Sequence, residues 1–172
     1  SILCARNCLR QQHLRYAVCM PTNWLDDSEQ TAWRNFITTL PDLSAAFEAD
    51  LAPHGITMGD YEVLVFLSEA PDQRMRMCDL AAALRLSPSG LTRRLDGMVK
   101  AGWVERSACS SDRRVMYAHL TSTGLAKMDA AAPDHVDSVR RHFLTPLGDD
   151  GVQQLSALFT LIRAHLHNLQ SA

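Results

Sequence analysis

"CSSDRRVMYAHLTSTG", Cys109 to Gly124, decides the fold. It opens as a loop of small polar residues carrying paired arginines beside an aspartate. It continues as the β-prone run "VMYAHL" and ends on a helix-start signal at Thr121. The preceding run, "WVERSA", is β-prone as well, so "CSSDRR" separates two short strands. That pattern is a hairpin with a long, basic, polar loop.

Upstream of the hairpin the period is helical. Ser87 reads as an N-cap with Pro88 at the first helical position, and this helix runs to about Ala101, where Gly102 closes it. Before it, "RMCDLAAALRL" is a shorter helix. "TMGDYEVLVFLSEAP" is another: Thr57 and Asp60 are spaced as a capping box, Tyr61, Leu64, Val65 and Leu67 point to the core, and Pro71 stops it. "LDDSEQTAWRNFITTLPDLSAAFEADLAPHG" is a long helix capped by Asp26 or Asp27, with an apolar stripe at Trp33, Ile37, Leu40, Phe47 and Leu51. Pro41 is expected to kink it or split it in two, and Pro53 and Gly55 end it.

Downstream, Thr121 caps a helix that continues through "AKMDAAAPDHVDSVRRHFL", with Pro133 bending it. Gly148 to Gly151 are expected to separate the last helix, where Val152, Leu155, Phe159, Ile162, Leu166 and Leu169 recur every three or four residues. The fold class is therefore mainly α (α+β): a winged helix-turn-helix domain over residues 57–120, flanked by long N- and C-terminal dimerisation helices, 26–52 and 122–170. Residues 23–172 form one domain and residues 1–22 an N-terminal extension.

Composition agrees with a globular chain: 172 residues, 47% hydrophobic and 21% charged. The net charge of -2 is unevenly spread. Residues 85–114 hold seven basic side chains against three acids, a balance of +4, which leaves -6 for the rest. A positive patch on an acidic body is the footprint of a polyanion partner. No apolar run approaches the roughly 20 residues that span a bilayer, so no membrane partner is expected. Five cysteines without scaffold spacing point to a reducing, cytoplasmic compartment.

The first nineteen residues, "SILCARNCLRQQHLRYAVC", lack the apolar core of a secretory signal. Cys4, Cys8, His13 and Cys19 have loose spacings for zinc and no turn-making glycines, so no metal is assigned. Either Met20 is the natural start with translated upstream sequence before it, or Leu9, His13 and Tyr16 mark an added helix.

In the helix opened by Ser87, Leu91, Leu95 and Met98 line one face, and Ser89, Thr92, Arg93 and Asp96 line the other. Short hydroxyls and an arginine near a helix N-terminus suit base edges and phosphates. A basic wing tip suits a DNA backbone or a narrow minor groove.

The stretches "MCDLAAALRLSPSGLTRRLDGMVKAGWVER" and "SSDRRVMYAHLTSTG" resemble the multiple-antibiotic-resistance regulator (MarR) family of bacterial transcription factors. The wing element is Asp112, Arg113, Arg114, and the exit is Leu120, Thr121, Gly124. The similarity covers roughly residues 25–168, and "AWRNF" and "PDHVDSVRRHF" are similar to actinobacterial members. The resemblance implies a homodimer on a pseudo-palindromic operator, a repressor released by a small-molecule effector, and no cofactor. It implies DNA contacts from Ser87, Ser89, Thr92, Arg93, Arg94, Arg113 and Arg114, with Arg114 in the minor groove. It also implies that Asp112 pairs with Arg93 or Arg94 to hold the wing against the recognition helix. An aromatic or carboxylate effector would meet Trp33, Arg34, His54, Tyr61 and His135. Cys109, beside Arg113 and Arg114, is the candidate for thiol-based redox sensing as an alternative. A winged-helix protein-interaction module is the other alternative. No nucleophile elbow, phosphate loop or metal-ligand motif points to an enzyme.

Overall fold

The computed structural model describes residues 22–109, 112 and 114–170. The readings on residues 1–21 and on Arg113 lie outside the described residues. The chain divides into two compact units, Ser1–Phe36 and Ile37–Ala172.

The described part of the first unit contains the start of helix α1, Asp27–Leu51. Asp26, rather than Asp27, opens it. Asp26 Oδ1 accepts from the Glu29 amide at 2.8 Å, and the Asp26 amide donates to Glu29 Oε2 at 2.9 Å. This reciprocal pair satisfies two backbone donors that a helix start leaves open. The Trp33 and Phe36 rings lie 6.0 Å apart. Helix α1 is not split at Pro41, which sits inside it. A proline removes one amide donor, and a helix of 25 residues keeps the rest of its ladder.

In the second unit α1 ends at the buried Leu51. A 3-10 turn, Ala52–His54, follows, and Gly55 at φ 64° reverses the chain. Helix α2, Met58–Glu69, starts from the capping box of Thr57 and Asp60. Its buried residues are Tyr61, Val63, Leu64 and Leu67, while Val65 is only half-buried. The single-stripe reading of α2 is corrected here because the helix lies between two apolar clusters. Val63, Leu64 and Leu67 enter the larger cluster, and Tyr61 enters a smaller one with Leu51, Ile56 and Ala131, against which Val65 packs.

Next come strand β1 (Arg74–Arg76), helix α3 (Met77–Ala83), helix α4 (Pro88–Lys100) and strands β2 (Val104–Ala108) and β3 (Met116–Leu120). The strands form an antiparallel sheet in the order β1-β3-β2, with Arg76 opposite Tyr117 and Val104 opposite Leu120. The third strand, β1, takes residues from the start of what reads as a helix in sequence. The larger core cluster joins α2, α3, α4 and the sheet through Leu64, Leu80, Leu91, Leu95, Met98, Val104 and Ala118.

Helix α5, Ser122–Val139, is capped by Thr121, whose Oγ1 accepts from the Gly124 amide at 2.9 Å and donates to the Gly102 carbonyl at 2.7 Å. A wide π-helical turn (Arg140–Leu144) and a 3-10 turn (Thr145–Leu147) lead to helix α6, Gly148–Gln170. The break therefore lies ahead of Gly148, at φ 63°, and Gly151 sits inside α6 rather than separating it. Among the described residues, no helix is long and apolar enough to cross a membrane.

Candidate nucleic-acid interface

The candidate surface is built on α3, the turn after it, α4 and the β2–β3 hairpin. In the turn, Arg85 takes a left-handed backbone at φ 53°, and the Leu86 amide returns to the Ala81 carbonyl at 2.9 Å. Ser87 Oγ then accepts from the Gly90 amide at 3.1 Å and lies 3.2 Å from Ser89 Oγ. Its hydroxyl starts α4, as a capping serine does.

Leu91, Leu95 and Met98 bury one side of α4, and Ser89, Thr92, Arg93 and Asp96 are exposed on the other. Thr92 Oγ1 donates to the Pro88 carbonyl at 2.9 Å, which commits its proton to the helix and leaves its lone pairs outward. The exposed Arg93 side chain forms no hydrogen bond or ion pair among the described residues. Arg94 differs. It is half-buried, and its guanidinium fills the space beside Gly59 of α2 that a side chain there would occupy.

The hairpin tip is ordered by backbone bonds. The Cys109 amide donates to Val115 O at 2.8 Å, and the Val115 amide to Asp112 O at 3.0 Å. Asp112 Oδ1 accepts from the Arg114 amide at 3.0 Å, an Asx turn. The expected pairing of Asp112 with Arg93 or Arg94 is thus not made among the described residues, because its carboxylate closes its own turn. The exposed Arg114 side chain has no partner among the described residues.

A different pair joins the hairpin to α4. Arg106 of β2 donates from Nη1 to Asp96 Oδ1 at 2.9 Å and from Nη2 to the Thr92 carbonyl at 2.8 Å. Motif reading centred on the tip overlooks it. The available signal is alternation: Val104, Arg106 and Ala108 share a strand face, and a charge beside a buried valine needs a partner.

The effector candidates fall in both units. Trp33, 54% exposed, and Arg34, which donates to Gln30 at 3.4 Å, belong to the first. His54, Tyr61 and His135 belong to the second. His54 Nε2 is 2.7 Å from Asp134 Oδ2. The His135 ring lies 4.6 Å from that of Tyr61 and 5.8 Å, edge-on, from Phe47. Burial pushes the Tyr61 phenol up, helped by the Asp129 charge, and pulls the His135 imidazolium down. His135 Nδ1 is buried without a hydrogen-bond partner. Cys109 is half-buried and forms no disulfide.

The three-stranded sheet, the helix pair and the wing define a winged helix-turn-helix protein of the DNA-binding class. A model of the MarR family matches residues 56–116. The structure of AbsC, a MarR family transcriptional regulator from Streptomyces coelicolor, is 45% identical, with a TM-score of 0.80 over 86% of this chain and 99% of that one. Sco3205 from the same organism, solved in complex with DNA, is 32% identical, with a TM-score of 0.78 over 83% of this chain and 91% of that one. The HTH-type transcriptional regulator PecS of Dickeya dadantii (strain 3937) is 35% identical over 86 residues, half of this chain and 51% of that protein. The chain belongs to the MarR family, and these relatives are transcriptional regulators, not enzymes.

Proposed function

We propose that the chain is a homodimeric repressor that binds a pseudo-palindromic operator in the cytoplasm and is released by a small-molecule effector. The observation that carries the DNA reading is a pair of arginines without partners among the described residues, Arg93 on α4 and Arg114 on the wing, on two elements joined through Arg106. Helix α4 enters the major groove, where Ser89, Thr92 and Arg93 meet base edges, and the wing arginines, Arg113 and Arg114, follow the backbone and minor groove. Ser87 and Asp112 position these groups through the cap and the tip turn.

Dimerisation is supported by the apolar side chains left in water on α1 and α6, among them Trp33, Leu40, Leu158, Leu161 and Ile162. Contiguous exposed apolar surface of this kind marks an association face. The effector reading rests on the Tyr61–His135 contact and the orphaned Nδ1, which offer an aromatic acid a ring surface and a polar anchor. Such a ligand acts by favouring the dimer geometry whose recognition helices no longer match the half-site spacing.

The test is a salt titration of operator and random duplex with Arg114→Ala and Arg93→Ala. Arg114→Ala weakens both duplexes and flattens the salt slope by about 0.9 for each phosphate that a wing no longer neutralises. Arg93→Ala costs about 1–3 kcal/mol per half-site and relaxes preference at one position. An unchanged slope for Arg114→Ala takes the wing off the DNA and favours a protein-interaction role.

A further inference from the structure

Arg106 occupies a position that none of the DNA-facing residues shares. It stands on β2 between Val104 and Ala108, and its side chain is 25% exposed. Both terminal nitrogens are committed, Nη1 to the Asp96 carboxylate and Nη2 to the Thr92 carbonyl. Thr92 and Asp96 are four residues apart and lie one above the other on α4. The guanidinium therefore grips one turn of the helix at two heights. A single ion pair fixes a distance, whereas two parallel bonds from a planar group also fix an orientation. Its Nε is buried with no partner. An orphaned buried donor calls for an explanation, and the two-point grip supplies one: the plane that serves both α4 acceptors leaves Nε facing none.

We infer that Arg106 is a positioning residue that sets the orientation of α4 from the wing, so that seating the wing on the DNA backbone aligns the recognition helix in its groove. This rests on the DNA-binding reading above. Backbone contacts position a protein and base contacts specify sequence. Arg106 makes neither, and its removal uncouples one from the other. The effect must therefore appear in the preference for operator over random DNA, with the grip on phosphates intact.

The experiment uses the full chain and an operator selected by the unsubstituted protein from genomic DNA. Arg106→Ala, Arg106→Lys and Asp96→Asn are compared on operator and random duplex across a range of salt, with thermal unfolding as the fold control. Arg106→Ala is expected to weaken operator binding about tenfold and random DNA less than about twofold, at an unchanged salt slope. Arg106→Lys, which keeps the charge but has one point of attachment, falls between. Asp96→Asn keeps an acceptor oxygen and stays near the unsubstituted chain. If Arg106→Ala does not fold, the order of the two milder variants decides. Equal weakening on both duplexes overturns the inference, as does an operator preference untouched in the folded variants. A slope reduced by about 0.9 per phosphate also overturns it, since Arg106 would then be on the DNA backbone itself. A wild-type chain that selects no operator sinks the DNA reading, and the coupling with it.

Discussion

Arg85 sits in the turn between α3 and α4 with φ at 53°, where the Cβ of an L-residue crowds its own backbone. The surrounding bonds, such as the Leu86 amide to Ala81, hold it there. Arg85→Gly should therefore leave stability equal or higher, while Arg85→Val, β-branched, should lower it by about 1–2 kcal/mol in denaturant unfolding. A neutral valine would show that the turn relaxes freely. No glycine marks this turn, nor the left-handed pair Asp72 and Gln73 ahead of β1, so neither is legible in the sequence. Thr57, Ser87 and Thr121 are legible because a cap is decided within three residues. The partners of Arg106 are not, because they lie in another element.

Elements divide the same way. Helices α1, α2, α4 and α5 and the hairpin follow from local period and punctuation. Strand β1 does not, since three residues gain strand character only by pairing with β3. Glycines show the difference between local and tertiary demands most sharply. A Cβ on Gly124 would collide with the Trp103 backbone carbonyl and come within 2.9 Å of Leu120 Cδ1, neither of which moves cheaply. Gly124→Ala should cost about 1–3 kcal/mol in thermal or chemical unfolding. Gly59→Ala displaces only the flexible end of Arg94, so its cost should be clearly smaller. Equal costs at the two sites would contradict this account of both glycines.

At the scale of the whole molecule, α6 carries Leu158, Leu161, Ile162, Leu166 and Leu169 in solvent. Deleting residues 148–172 should abolish the dimer in sedimentation and reduce operator binding to a trace. A native-like dimer after deletion would move the interface elsewhere. Acid should act in two separate windows. Burial holds His135 below its ordinary 6.5, so the folded state takes up fewer protons than the unfolded chain. The stability this confers is complete above about pH 6.5 and is lost as pH falls through the lowered value. His135→Phe keeps an aromatic ring against Tyr61 and should flatten that decline, read as unfolding midpoints at successive pH values. Asp50 acts lower. Its carboxyl lies below the ordinary 3.8, first through the Ser138 hydroxyl and then through Arg141 and His142, which outweigh the cost of burying it. That contribution is present above pH 3.8 and lost as pH falls through the lowered value. Asp50→Asn should therefore converge with the unsubstituted chain only in strong acid.

The wide turn at Arg140–Leu144 amounts to a phase setting. In an α-helix each residue advances the chain by about 100° and 1.5 Å. A π-helical turn absorbs one residue more than an α-helical turn does. Excising a single residue there would restore ordinary helical bonding at little energetic cost. Everything after it would nevertheless swing by roughly a quarter-turn, carrying the oily stripe of α6 to a new compass bearing. The segment behaves as an index mark, where an edit that leaves composition almost unchanged redirects the face the molecule offers to its neighbour.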